Sequence, residues 1–456
     1  MSLKNIFYFL PEVTPPTEKK VSFNVKLKWT LIIIVAFFVL ANIPLFGLSS
    51  NALARFEYLA IILGTDFGSI ISLGIGPIVM ASIILQLLNG SGILNMDTST
   101  AEGKKFFQGV QKLLAFAFVI FEAMVYVLMK GLEALPGMTF LVILQLCIGG
   151  FLIIFMDEVV QKWGFGSGVS LFIAAGVGWR LFAALFQFIG PEGGFSPIGR
   201  VLVLVSSLIE GNSTGAALAL FAIAVTVVLF LIVVWAQSLK VEIPLSYDRI
   251  RGYGVKWPLQ FFYASVLPVI LVSALAANLQ LFASLLENWL GHATVLGAFQ
   301  QGQPISGLAF WIHSPSPSLL ERIITSSFKP VLALQALGHV LFYVIFSVIF
   351  SMFWVNTSRM DASSQAENIM NSGLQIPGFR RDKRVLESIL KRYVGPLTIM
   401  GGAAIGLLAS VANLLGALVG GTAILLSIMI IYQLYQNIAQ QHALDIHPAL
   451  KGMFGA

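Results

Sequence analysis

The sequence predicts an all-α polytopic membrane protein, with ten transmembrane helices in two inverted five-helix halves and one re-entrant segment. Three observations lead there. Hydrophobic residues make up 57% of the 456 and charged residues only 11%, against about 25% charged in soluble domains. A soluble globule of this size would lack the charge to cover its surface, and a disordered chain would hold far less apolar material. Apolar runs recur ten times between polar breaks, each near the roughly 20 residues that cross about 30 Å of hydrocarbon. Lys and Arg then divide 21 to 6 between the two sides that those crossings define. The positive-inside rule puts both termini in the cytosol.

In chain order, residues 1–27 form a polar, basic cytosolic segment without a signal-peptide cleavage pattern, so the first apolar run, 28–47, is retained as a helix. Next, 49–69 contains Phe56-Glu57-Tyr58-Leu59-Ala60-Ile61-Ile62-Leu63-Gly64, apolar but too short to cross, followed by Gly68, Gly74 and Gly76. Non-helical backbone at membrane depth is tolerated only where it is buried in protein or lines a cavity. The second span, 70–90, therefore borders a cavity. Spans at 106–129, 136–156 and 164–188 complete a first half over 28–188. An outer loop, 189–214, leads to a second half over 215–438, with spans at 215–239, 258–286, 331–357, 393–413 and 415–438. The long outer loop at 287–330 reads as partly structured, and 439–456 is a cytosolic tail. Pro77-Ile78-Val79-Met80-Ala81-Ser82 in span two matches Pro268-Val269-Ile270-Leu271-Val272-Ser273 in span seven. Five spans per half is odd, so a duplication inserts its halves in opposite orientations, with a cavity between them.

Two cytosolic loops, 240–257 and 358–392, hold 11 of the 27 basic residues and carry Gly and Pro turns. That chemistry suits phosphates of nucleic acid or anionic headgroups. Catalytic, metal and cofactor signals are missing. The one cysteine, Cys147, excludes a disulfide framework and a multi-Cys metal site. His292, His313, His339, His442 and His447 form no helical i, i+4 pair. Gly103-Lys104-Lys105 lacks the upstream glycine and the hydroxyl of a phosphate loop. Gly166-Ser167-Gly168-Val169-Ser170 has the outline of a nucleophile turn but no histidine at a matching depth. Glu122 stands nearly alone as a mid-span ionisable group, whereas ion-coupled transport normally needs several. A secondary transporter with inverted repeats is the alternative reading, and an intramembrane hydrolase a more remote one.

Several segments carry a family resemblance: Leu73-Gly74-Ile75-Gly76-Pro77-Ile78-Val79, Gln86-Leu87-Leu88, Phe107-Gln108-Gly109, Gln111-Lys112-Leu113-Leu114, Gly166-Ser167-Gly168 with Ile173-Ala174-Ala175-Gly176, Ile243-Pro244-Leu245, and Lys391-Arg392-Tyr393. In this order, from about residue 10 to 450, the chain resembles the SecY family, the large subunit of the Sec protein-conducting channel, in its archaeal and endoplasmic-reticulum branch. The resemblance implies an hourglass of two inverted halves with an outer plug and a lateral gate to lipid. It implies a passive channel and no enzyme, in the cytoplasmic membrane. Expected partners are a SecE-type (gamma) subunit, a beta subunit, the translating ribosome through its rRNA phosphates, signal peptides and nascent polypeptides, and membrane lipid.

Carried onto this sequence, the family's apolar pore ring falls on Ile75, Val79, Val169, Ile173, Ile270 and Leu426. Aliphatic side chains suit such a ring, because they close around a sliding chain of any sequence, and an apolar constriction dewets. The plug is expected at about 55–66, with Arg55, Phe56, Leu59, Ile62, Leu63 and Gly64. The lateral gate is expected between spans two and three and spans seven and eight, with a polar cluster of Glu122 and Asn278, in which Glu122 bonds an amide. Met80 stands where the family usually has a hydroxyl residue, and Ser82 or Gln86 would compensate. Ribosome docking falls on Arg249, Arg251 and Arg380, helped by Lys256, Arg381, Lys383 and Arg384.

Overall fold

A computed structural model describes residues 11–17, 21–55, 60, 64–90, 93, 94, 96, 100–188, 198–247, 254–264, 266–300, 302–371, 374, 375 and 382–446. Among these, nine helices are long and apolar enough to cross a membrane, and a tenth apolar helix is shorter. The first five are α1 (Phe23–Ala41), α2 (Gly76–Gly90), α3 (Ala101–Leu128), α4 (Thr139–Trp163) and α5 (Gly168–Phe186). A short outer helix, α6 (Arg200–Glu210), precedes α7 (Ser213–Ser238) and α8 (Leu267–Leu290). Two outer turns of helix follow, α9 (Gly307–Ile312) and α10 (Leu319–Ile324). Then come α11 (Pro330–Thr357), α12 (Ala362–Asn371), α13 (Lys383–Leu415) and α14 (Gly421–Ile446).

The ten spans sit where the apolar runs put them, with boundary shifts that have local causes. Span two is helical only from Gly76, which makes it the short one. Residues 70–75 form a run of turns with Gly74 at φ +53°. Pro77 sits in the first helical turn, where a missing N–H costs nothing. Pro268 occupies the same place in α8, whose start falls later than expected because 258–260 end a strand. The ninth span starts ten residues before the apolar run, because Leu386, Leu390 and Val394 of α13 bury against a layer formed by the two basic loops.

That layer adds β-structure to the expected all-α fold. β3 (Lys240–Tyr247) and β4 (Gly254–Gln260) pair antiparallel, and the two-residue β7 (Leu374–Gln375) joins the other edge of β3. Side chains alternate along β3, with Ile243 and Leu245 buried between exposed neighbours. They pack with Leu259, Ile369 and Leu390 into a core of their own. On the outer side, β1 (Leu48–Asn51) pairs with β2 (Leu132–Ala134), and β5 (Ala298–Gln300) with β6 (Gln303–Ser306).

Helix packing sets the seams. α2 lies against α3, α8 and α11, and α5 lies against α14, so the chain before residue 188 meets the chain after 215 along two lines. α11 and α13 approach closely through Gly402 and Gly406, one turn apart. A Cβ on either would come within 2.6 Å of Ser351 Oγ or the Tyr343 carbonyl oxygen. Small residues at such a crossing let apolar helices gain backbone-to-backbone contact where lipid offers no hydrophobic drive.

Candidate functional site: an apolar ring, a capping loop and a polar seam

Four elements bring the six expected ring residues into one buried apolar cluster. Ile75, Val79, Val169, Ile173, Ile270 and Leu426 are each at most 9% exposed and belong to the same cluster. Ile75 ends the turns before α2, and its carbonyl accepts from the Val79 amide at 3.1 Å, which puts both side chains on one helical face. Val169 and Ile173 are likewise one turn apart at the start of α5. Ile270 lies in the first turn of α8, and Leu426 in the second turn of α14. Phe172 is buried in the same cluster and stacks on Phe37 with centroids 4.9 Å apart.

The outer segment reaches this cluster at Gly64. It sits at φ +56°, a left-handed conformation in which L side chains are strained. A Cβ there would lie 3.8 Å from Phe172 Cβ and 3.9 Å from both Ile75 Cγ2 and Ile173 N. Of the other expected plug residues, Phe56, Leu59, Ile62 and Leu63 lie outside the described residues. Arg55 ends a 3-10 turn, Ala52–Arg55. The base of the segment is tied down. Thr65 Oγ1 donates to the Ile71 carbonyl at 2.6 Å, and Asn51 Nδ2 donates to the Phe67 carbonyl at 2.8 Å. From a different span, Arg180 of α5 donates to the Thr65 carbonyl at 3.3 Å and to Asp66 Oδ1 at 2.8 Å.

The polar seam lies between α2, α3 and α8. Glu122 is fully buried, directly against the start of α2, where a Cβ on Gly76 would come within 3.0 Å of Glu122 Oε2. The expected bond between Glu122 and an amide is absent: Asn278 Nδ2 donates to the Ala274 carbonyl one turn back in its own helix, at 2.9 Å. Among the described residues, both Glu122 oxygens, Asn278 Oδ1, Gln86 Oε1, Ser273 Oγ and Tyr126 OH are buried without a hydrogen bond. Ser82 is the residue that bridges helices. It donates to its own Ile78 carbonyl at 3.0 Å and accepts from Gln111 Nε2 of α3 at 2.6 Å. Met80 is half-buried and packs against the ring cluster.

On the cytosolic layer, Lys256, Lys383 and Arg384 are exposed, whereas Arg249, Arg251, Arg380 and Arg381 lie outside the described residues. Lys256 and Lys383 are not bare cations: they pair with Glu242 at 2.7 Å and Glu367 at 3.3 Å. The hydrogen bond between Lys256 and Glu242 raises the one pKa and lowers the other.

Three arrangements escaped sequence reasoning. Asp157 of α4 is buried and accepts from the Val169 amide at 3.0 Å, Gln161 Nε2 at 2.8 Å and Ser167 Oγ at 3.4 Å, so it caps α5 from a neighbouring helix. Gly168 allows the approach, since a Cβ there would lie 2.5 Å from Asp157 Cα. The N-terminal strand of chain is strapped to α3 and α4. Lys162 donates to Glu12 and to the Val13 carbonyl, each at 2.6 Å, and Lys112 donates to the Pro11 carbonyl. The bond from Lys162 holds the Glu12 carboxyl below its usual range. On the outer side, His313 bonds Gln280 of α8 at 3.0 Å and Gln303 of β6 at 2.9 Å. Its pKa is pushed down to about 4 by burial and, less, by nearby His339.

Comparison with known proteins adds the lineage. The family model SecY matches residues 69–435. A protein translocase subunit SecY from Methanothermobacter thermautotrophicus is 45% identical over 456 residues, which cover 99% of this chain and 98% of that protein. A solved SecY structure, described as one whose plug domain stabilises the closed state of the translocation channel and maintains a membrane seal, is 37% identical. It superposes with a TM-score of 0.84 over 98% of this chain and 99% of that one. Sec61 in a canine ribosome–channel complex from the endoplasmic reticulum is 36% identical, with a TM-score of 0.82 over the same shares. On ten apolar helices among the described residues and these matches over nearly the full length, the chain belongs to the SecY family.

Proposed function

We propose that this chain is the pore-forming subunit of a protein-translocation channel in the cytoplasmic membrane, with both termini in the cytosol. The supporting observation is that six aliphatic side chains from four elements are buried in one apolar cluster, which the outer segment reaches at Gly64 beside Ile75 and Ile173. An aliphatic ring excludes ions by dewetting and holds no polypeptide by specific bonds. Segment 55–66 is the plug that covers it at rest. The channel is passive and no enzyme: the ribosome supplies the push. Apolar segments leave sideways into lipid along the seam of α2 and α3 with α8 and α11, drawn by roughly 0.3–0.6 kcal/mol for each central Leu, Ile, Phe or Val. The buried seam groups Gln86, Glu122 and Asn278 are the gate's polar lining. Arg249, Arg251, Lys256, Arg380, Arg381, Lys383 and Arg384, all within or beside the two basic loops, meet rRNA phosphates. A SecE-type (gamma) subunit clasps the two inverted halves, and a beta subunit completes the complex.

Site-specific photocrosslinking from Ile173 to a ribosome-stalled nascent chain tests the path. A crosslink that requires a functional signal sequence is expected. With the ribosome docked, silence from Ile173, Ile270 and Leu426 alike would remove the ring from the path and reopen the transporter reading.

A further inference from the structure

We propose that Asp157 and Asn413 are a matched pair of positioning residues, one in each half, that set the depth at which Ile173 and Leu426 stand in the ring. The inference rests on the reading of that apolar cluster as the pore. Its starting point is a repeat within the chain. α5 opens Gly168-Val169-Ser170-Leu171-Phe172-Ile173, and α14 opens Gly421-Thr422-Ala423-Ile424-Leu425-Leu426. Both read glycine, a β-branched residue, a small one and three large apolar ones, and in both the ring residue comes sixth. The two helices are the fifth spans of their halves. An odd number of crossings separates them, so they set out from opposite faces of the membrane.

The two starts carry the same cap. In each, the amide of the second helical residue donates to a side-chain oxygen of the preceding span: Val169 N to Asp157 Oδ1 at 3.0 Å, and Thr422 N to Asn413 Oδ1 at 2.9 Å. Both capping side chains are buried. In each, the capping helix also presses on the glycine that opens the next one. A Cβ on Gly168 would lie 2.5 Å from Asp157 Cα, and one on Gly421 would run into the Ala412 carbonyl group. α4 and α13 therefore grip α5 and α14 by the backbone, at their first turns. The ring residue follows four positions after the capped one, about 6 Å along the axis and on the same helical face. An amide orphaned at membrane depth finds no water to replace its acceptor. Without its cap, a helix start frays or slides, and the ring residue that it carries moves along the pore. Two caps at opposite faces thus hold two ring residues to one level from both directions.

The test uses the full channel complex in vesicles, with Cys147→Ser and a single new cysteine, Ile173→Cys or Leu426→Cys. It reads the rate at which a water-soluble maleimide reacts. Asp157→Ala should raise the rate at 173 and Asn413→Ala the rate at 426, each on the order of fivefold for a lost cap. The other position should not change. Asp157→Asn keeps the acceptor oxygen and Thr422→Val keeps the amide, so both should hold the starting rate. Thr422→Pro removes the amide itself, in a first turn where proline is tolerated, and should raise the rate at 426 alone. That variant decides the question where an alanine variant fails to assemble. Equal changes at both positions, or none at either, would overturn the pair. Ion current through Ile173→Gly in planar bilayers checks the pore reading separately. A current there, with reactivity unmoved by either cap, leaves the pore standing and removes the caps. No current there removes both.

Discussion

At Asp157 one carboxylate serves two helices. It belongs to the last turns of α4, yet its oxygens satisfy the Val169 amide and the Ser167 hydroxyl at the start of α5. Orphan amides at a helix start need an acceptor, and Ser167 makes no side-chain cap bond of its own. Asp157→Ala should therefore lower stability by about 1–2 kcal/mol, whereas Asp157→Asn keeps an acceptor oxygen and loses less. Thermal unfolding in detergent would rank the two. His313 gives a pH prediction. Its folded pKa, about 4, lies below the ordinary value near 6.5, so the unfolded chain binds the proton first as pH falls. Stability is full above about pH 6.5, declines toward pH 4 and is flat below, by on the order of 2 kcal/mol for this one group. Melting at pH 7 and pH 5 checks the sign, and His313→Gln should flatten the slope. The shared burial of Ile75, Val79, Val169, Ile173, Ile270 and Leu426 was expected from a resemblance carried by motifs such as Leu73-Gly74-Ile75-Gly76-Pro77. Asp157 was not, because its partner is a backbone amide twelve residues on, and backbone groups leave no mark on residue type. Nor was the inward bond of Asn278: an asparagine can bond its own helix as readily as a neighbour.

Among elements, the cytosolic layer shows where pattern reading stops. The run Lys240–Tyr247 alternates correctly for a half-buried strand, but Pro244 in its middle argues for a turn. The structure reconciles the two. Among the described residues β7 pairs with Ser246 and Tyr247 alone, and Pro244 pairs with Lys256 of β4. In α13 the charged stretch Lys383–Arg392 masks a helical stripe of Leu386, Leu390 and Val394 that buries against the sheet. Leu390→Ala should cost about 2–5 kcal/mol locally. Limited proteolysis would then cut the 358–392 region faster while the membrane core stays protected, a split that checks whether the layer is a separately stabilised unit.

For the molecule as a whole, ten spans and their order were legible, because the bilayer constrains length more tightly than water does. The contacts between spans were not, since every span is apolar all round. Three outcomes follow at this scale. Ile270→Val, which removes one methylene from a six-part ring, should leave translocation within about twofold, a volume change that apolar packing absorbs. Ile173→Gly should admit a measurable ion current in planar bilayers. Docking through phosphates predicts that ribosome binding to vesicles weakens steeply between low and physiological salt. The 33-residue α13, finally, has a mechanical consequence. One helix about 50 Å long runs from the sheet layer through the bundle, with Pro396 inside it between the layer and the crossing with α11. Its tight crossing with α11 at Gly402 and Gly406 acts as a fulcrum, and α11 bears on α2. A load applied to the sheet on one face is thus passed along α13 to the seam on the other, through a helix that Pro396 leaves one backbone bond short.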